Sequence, residues 1–351
     1  MTDTASTTLT EVGGRPVVLT YSSVGAEYDA IRSRAAVIDQ SHRGRLRLTG
    51  ERAAETLNGL VTNDVLTLEP GHGCYAAALT PKGRIVADLR IYRDADGLLV
   101  DCPARAVAGW MELVKKYVNP RAAKYLDESA SLRAFGIFGP LAHHVAAAVT
   151  GGTPTALGVL PAYAHVSVAM GDARAIIARV PDAGVDGFEV YLPVDQFDAA
   201  WARALGAHGT PAGVAAWDVA RVEAGYPEWG VDIDESTIPQ EANFDELGAI
   251  SYTKGCYTGQ EVVARVHFRG HVNRHLLGIR TDGPQALPTG AQLLDESGKL
   301  VGDVRSSVDS PRLGGIGLAM IRREVAAGST VTARWEGGER AAVVHALPFP
   351  R

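Results

Sequence analysis

The sequence predicts an α+β protein that closes with a small all-β unit, and three observations carry this. Helical and strand-like segments follow one another without a regular βαβ alternation. The same grammar of strands, turns and helices runs twice before residue 225. Beyond Arg274 the texture changes to short alternating segments separated by Gly, Pro, Asp and Ser turns, the pattern of a barrel.

Each element has its own reason. After a polar, threonine-rich start read as frayed, Val24 to Ala35 places Tyr28, Ile31 and Ala35 at helical spacing. Arg45 to Thr49 alternates as a strand, and Gly50 to Val61 reads as a second helix. Tyr75 to Leu79 is a strand, Pro81-Lys82-Gly83 a turn, and Arg84 to Tyr92 a strand with Ile85, Ala87, Leu89 and Ile91 on one face and Arg84, Asp88 and Arg90 on the other. Asp96-Gly97 is a hairpin signal leading into Leu98 to Cys102, and Pro103 opens a helix to Lys116. The second pass has a strand at Leu132 to Phe138, a Gly139-Pro140 break and a helix at Leu141 to Val149. Strands at Ala162 to Met170 and Ala173 to Val180, joined by Gly171-Asp172, and at Phe188 to Leu192 come next, then helices at Asp195 to Leu205 and Val214 to Ala224. Lys299 to Val304, Gly315 to Ile321 and Val331 to Trp335 are strands of the last unit.

Composition bounds the function. The 351 residues call for two or three domains, and a net charge of -6 argues against a surface built mainly for nucleic acid. No apolar run reaches membrane-spanning length and the first residues lack the pattern of a signal peptide. Cys74, Cys102 and Cys256 lie far apart without a C-x-x-C pair, so neither a disulfide framework nor a zinc module is expected, and a reducing cytoplasm fits. His267, His271 and His275 are spaced for one helix face, but Gly270 is expected to end that helix and no metal site is assigned.

The stretch from Lys254 to Arg265 reads as a helix entrance presenting a thiol. Thr258 and Glu261 have capping-box spacing, with Tyr257 and Val262 as a hydrophobic staple, so Thr258 is the expected N-cap. Cys256 would then sit just outside a helix N-terminus, where the dipole and Lys254 both favour thiolate. Between Arg221 and Lys254 no Lys or Arg occurs, whereas Lys254, Arg265, Arg269 and Arg274 face only Glu261 in the next stretch. That reversal reads as an anion site beside the thiol, or as two complementary solvated faces.

Lys254-Gly-Cys-Tyr-Thr-Gly-Gln-Glu261 resembles the signature of the YgfZ family of folate-binding proteins, which is similar to the mitochondrial iron-sulfur assembly factors and to the glycine-cleavage T-protein aminomethyltransferases. Ala35 to His42, Leu60 to Val65, Gly83 to Tyr92 and Arg221 to Gly225 extend the resemblance over most of the chain. It implies a three-domain aminomethyltransferase-like fold around a central opening: residues 15–46 plus 126–225, residues 47–125 plus 226–272, and a C-terminal β-barrel at 273–351. It also implies tetrahydrofolate, or a one-carbon derivative, in the opening, with Tyr75, Asp88, Arg221, Lys254, Tyr257 and Arg265 as binding residues and Cys256 as the working residue.

Three departures follow from the same resemblance. Ala87-Asp88 stands for an Asp-Asp pair, with the missing member expected to be the carboxylate used on the folate nitrogen. Val185 stands for a pterin-contacting glutamate, and Trp217 for an arginine. The implied function is a cytoplasmic accessory protein, without classical turnover, that supports assembly or repair of iron-sulfur enzymes, including those that modify transfer RNA. Its partners would be iron-sulfur clients or assembly machinery rather than nucleic acid or membrane. The alternative is a folate-dependent aminomethyl- or methyltransferase, or demethylase, using Asp88, whose ordinary reading is an exposed strand carboxylate paired with Arg84 or Arg90.

Overall fold

Three sheets, each with its own apolar core, build the molecule. In the computed structural model residues 7–170 and 173–350 are described. The turn expected at Gly171-Asp172 lies outside the described residues.

The first domain has a six-stranded sheet in the order His165–Met170, Ala173–Arg179, Gly187–Pro193, Leu132–Phe138, Ala36–Asp39, Thr210–Pro211. All its pairs are antiparallel except the last. Helices Ala142–Thr150, Pro154–Gly158 and Phe197–Gly206 cover one face through Phe135, Ile137, Phe188 and Val190. The other face meets helices Val24–Ser33 and Val214–Ala224. The first of these starts where Ser23 accepts from the Ala26 N–H, a side-chain N-cap.

The second domain has a five-stranded antiparallel sheet in the order His72–Leu79, Ile85–Arg93, Leu98–Cys102, Gly44–Thr49, Lys124–Asp127. Residues 44–46 and 126–127 therefore belong to this sheet and not to the first, which shifts both expected boundaries by two or three residues. The strand at 124–127 escaped the sequence because its Lys-Tyr-Leu-Asp is too short to show a period. Helices Ala53–Asn58 and Val107–Tyr117 pack on one face, with Trp110 filling its centre. Six strands from Arg274–Thr281 to Gly338–His345 close the expected barrel.

From Thr8 onward the expected frayed stretch is ordered. Thr8–Val12 and Arg15–Thr20 form an antiparallel hairpin about Gly13 and Gly14, both at positive φ, the conformation a two-residue turn demands. The second face of the second sheet turns away from solvent: Tyr75, Ala77 and Tyr92 join Ile31, Phe138, Tyr163, Tyr191 and Phe244 in one core between the domains. The three units meet there around a central opening.

Candidate functional site

Strand alternation aims the site. On Ile85–Arg93, Ala87, Leu89 and Ile91 enter the core beneath the second domain's helices, while Asp88, Arg90 and Tyr92 face the buried junction with the first domain. Ala87 is thus on the far side of the sheet. The carboxylate that this chain retains, Asp88, is on the opposite face. Asp88 is also not an exposed strand carboxylate: it is buried, and neither Arg84 nor Arg90 pairs with it.

The Tyr75 hydroxyl donates to Asp88 Oδ2 at 3.0 Å, and Asp88 Oδ1 is buried without a partner. Burial, and then the charge of Glu228, push the Asp88 carboxyl from 3.8 up to about 7; Arg43 and the Tyr75 bond only partly oppose this. Tyr75 stacks on Tyr163 with centroids 6.1 Å apart and an 11° interplanar angle, and Phe244 tilts against it at 5.3 Å. The buried Tyr163 hydroxyl and Asp182 Oδ1 lack partners as well. Three unpartnered polar atoms beside a flat aromatic wall are what a heteroaromatic ligand rich in N–H groups would satisfy.

Below this wall lies an ionic cluster. The Arg90 guanidinium donates to Asp182 and Glu189, and Tyr191 donates to Glu189. Arg43 pairs with Asp101 at 2.6 Å. Burial would raise Glu189, yet Arg90 and Arg43 hold its carboxyl below the usual range. Val185, expected to mark a lost carboxylate, sits on the preceding turn beside Arg179 and Asp186 at a surface cavity. The strand that follows nevertheless delivers Glu189 to the interior. Trp217 lies against Phe138 at 4.5 Å and lines a cavity of about 170 Å³ together with Arg43 and Glu228, the charges that act on Asp88.

The remaining expected site residues do not gather around Asp88. Arg221 is buried by Asp218 at 2.7 Å and Asp232 at 2.8 Å and ties the first domain to barrel residue Ser306. It lines the 170 Å³ cavity rather than the aromatic wall. The acidic run that precedes Lys254 is similarly structural, because Asp232 serves Arg221 and Glu241 serves Arg274.

Lys254 does not face an anion. Its Nζ donates to the carbonyls of Asn58, Val61 and Asn63 at 2.6–2.8 Å and lies 5.0 Å above the buried Tyr257 ring, and burial pulls its pKa down to about 8. The helix begins one residue later than expected: Gly259, at φ 82°, is the N-cap of Gln260–Arg269, and no side-chain cap forms. Glycine's freedom at positive φ displaces the capping box, and Thr258 turns its hydroxyl to the Gly59 carbonyl at 3.4 Å. Val262 packs on Gly83 and Val263 joins Tyr257 in the core, so the staple shifts as well. Cys256 is exposed on this loop, and Arg265 is exposed on the helix without an ion pair among the described residues. Gly270 does end the helix, and among the described residues no group of three or more His, Cys, Asp or Glu side chains could hold a metal ion.

Lys254→Met would strand three buried carbonyls, each worth about 1–3 kcal/mol when unmet. The expected outcome is faster amide exchange across residues 254–259 and a lower midpoint of thermal unfolding. Unchanged exchange there would show that the lysine does not anchor the loop.

Sequence reading missed Tyr163, Asp182, Glu189 and Phe244. Tyr163 adopts φ 62° after Leu160-Pro161, a turn no periodicity reveals, and the others need the two domains to be stacked before they converge.

Comparison with known proteins places the geometry in context. The profile of the GCVT N-terminal domain matches residues 2–250, and that of the glycine cleavage T-protein C-terminal barrel domain matches residues 274–350. An aminomethyltransferase of Rubrobacter xylanophilus is 30% identical over 343 residues, covering 97% of this chain and 90% of its own length. One of Saccharopolyspora erythraea is 30% identical over 352 residues, covering 98% and 94%. The crystal structure of glycine cleavage system aminomethyltransferase T from Bartonella henselae superposes with a TM-score of 0.88 at 25% identity, over 99% of this chain and 95% of that one.

Proposed function

The chain belongs to the glycine cleavage T-protein family, and from that premise we propose that it binds tetrahydrofolate in its central opening and carries out folate-dependent one-carbon transfer, of the aminomethyl- or methyltransferase type, with Asp88 as its proton-handling group. The observation that carries this reading is the Asp88 carboxyl: buried, oriented by Tyr75, one oxygen without a partner, and poised near neutrality. The residues fit such a ligand. Tyr75, Tyr163 and Phe244 offer a flat ring its stacking surface, and Asp88, Asp182 and the Tyr163 hydroxyl offer its N–H groups their acceptors. Tetrahydrofolate, when bound, supplies nitrogens that take up and release a one-carbon unit.

Asp88, ionised, would hold a positive charge developing within its reach and accept a proton from the nitrogen that bears it; protonated, it would return one. Tyr75, donating to one oxygen, leaves the other directed at the ligand. Burial keeps water from competing for both. Turnover with tetrahydrofolate and aminomethyl or methyl donors tests the reading, and a purified protein that transfers nothing from any such donor would overturn it.

A second reading has its own support. Cys256 is exposed on the Lys254–Glu261 loop, and the Asp88 chemistry gives it no task. A role of the YgfZ kind, with the thiol serving the upkeep of iron-sulfur enzymes, including tRNA-modifying ones, would account for it. Cys256→Ala is then expected to bind tetrahydrofolate as the parent does yet to fail to restore iron-sulfur enzyme activity in a deletion strain. Full restoration by that variant would remove the second reading. No helix among the described residues is long and apolar enough to cross a membrane, and the compartment expected is the cytoplasm.

A further inference from the structure

The wall beside Asp88 is covered in this structure. Phe244 is 0% exposed, Tyr75 4%, Asp88 and Asp182 6% and Tyr163 7%. Water reaches almost none of it, so a flat ring can lie against it only after some segment of the chain moves.

One segment can move at small cost. Residues 180–186 join the strands Ala173–Arg179 and Gly187–Pro193 and lie over the wall. Burial first, and then nearby carboxylates with Asp182 among them, raise the phenols of Tyr75, Tyr163 and Tyr226. The base of this connection is tied down: the Val180 N–H donates to the Gly187 carbonyl at 2.9 Å, the Gly139 N–H to the Asp186 carbonyl at 2.8 Å, and Arg179 pairs with Asp186 at 2.6 Å. Its tip is not. From Pro181 to Val185 the backbone makes only its own turn, from the Gly184 N–H to the Pro181 carbonyl at 3.0 Å. Among the described residues, the single polar bond from this tip to the rest of the molecule is that of Asp182 with Arg90. Apolar anchoring is light as well, with Ala183 in the core and Val185 at its edge. Space lies on both sides, in a cavity of about 610 Å³ shared with Pro140 and Leu160 and one of about 260 Å³ shared with Tyr226 and Phe349.

The bond to Arg90 is a weak tether. Burial raises the Asp182 carboxyl, and Arg90, the first of the charges opposing this, is shared with Glu189 and, at 3.7 Å, with Asp101. Swinging the tip outwards returns one carboxylate to water while Arg90 keeps the other two, so the hydration recovered offsets much of the ion pair lost.

We propose that residues 181–185 form a lid over the Asp88 wall, latched by Asp182 on Arg90, and that this lid opens to admit the ligand. The carboxylate that latches the closed chain is one of the acceptors the ligand N–H groups need, so ligand and Arg90 compete for it. The identity of the ligand rests on the folate reading above, whereas the lid is a property of the chain itself. Entry is then limited by opening rather than by encounter.

Thiol labelling reads the opening without any ligand. In a Cys256→Ser chain the remaining native thiols, Cys74 and Cys102, are buried. Ala183→Cys in that chain places a reporter under the lid, where the 260 Å³ cavity beside it takes the added sulfur. An aromatic disulfide reagent is expected to label it faster than Cys74 and Cys102. Asp182→Asn, which exchanges the ion pair for a neutral hydrogen bond, should raise that rate about tenfold. Labelling no faster than that of the two buried thiols, or a rate indifferent to Asp182→Asn, would overturn the inference. Stopped-flow mixing of the full chain with tetrahydrofolate is the second measurement. The observed rate should reach a plateau independent of ligand concentration, and the plateau should rise in Asp182→Asn by the same factor as the labelling. A rate that climbs linearly with concentration would overturn the lid and leave the folate reading standing. No binding, together with labelling that Asp182→Asn accelerates, would overturn the folate reading and leave the lid standing.

Discussion

Asp88→Asn is expected to lower one-carbon transfer by about 10²–10⁴-fold, the range in which a positioned proton-transfer group acts, while leaving the fold intact. Asparagine keeps an oxygen that can accept from Tyr75 and removes only the ionisation. A second readout separates chemistry from structure. The folded-state pKa of Asp88 is raised from 3.8 to about 7, so the protonated form stabilises the fold below the unfolded pKa, and that contribution is lost as pH rises through about 7. Asp88→Asn has no such loss. Its stability advantage over the parent should therefore grow between about pH 4 and pH 7, by about 4 kcal/mol at most. Urea unfolding at a series of pH values measures it, and a constant difference across that window would show that Asp88 is not held in its neutral form by burial.

Arg90→Met should have the second large effect, on stability rather than on chemistry. The guanidinium lies between Asp182 and Glu189 and approaches Asp101 at 3.7 Å, all buried. Removing one partner from such a cluster typically costs about 3–5 kcal/mol, because the charges left behind have neither water nor a cation. The pH dependence has a definite sign. Glu189 is held below its usual range, so the stability it contributes is present above its unfolded pKa and is lost as pH falls. Without Arg90, Glu189 would lose its main opposing charge and Asp101 and Asp182, already raised by burial, would rise further, so protonation would relieve all three. The cost of the substitution should accordingly be smaller at pH 5 than at pH 8. An equal cost at both would mean that packing of the Arg90 side chain, rather than its charge, is what the cluster needs.

Much of the fold was legible because its periods are strong. The helix Val214–Ala224 and the strand Leu132–Phe138 have the bounds their spacing predicts, and the change of texture after Arg274 marks the barrel. What failed was the question of which polar face is wet. The alternation around Ala87 and Asp88 was plain, but an antiparallel sheet commonly leaves its polar face to solvent, and only the docking of the first domain turns Asp88 inward. The same cause hid Arg90, Asp182 and Glu189, whose partners come from strands of two sheets. At the Lys254–Arg265 stretch the residue pattern was read correctly as a helix entrance. One glycine at positive φ was enough to move the cap and leave Lys254 facing carbonyls rather than a thiol or a ligand. The Gly13-Gly14 hairpin was missed because the polar start was read as frayed.

The central claim is that Asp88 meets tetrahydrofolate inside the opening. Its most direct test is calorimetric titration with tetrahydrofolate near pH 7 in two buffers of different ionisation enthalpy, which counts the protons exchanged on binding. A carboxyl with a pKa of about 7 and one oxygen without a partner should change its protonation when that oxygen gains a ligand N–H. The account predicts binding by the parent protein with a net proton exchange that disappears in Asp88→Asn. No binding, or the same proton exchange in that variant, would contradict it.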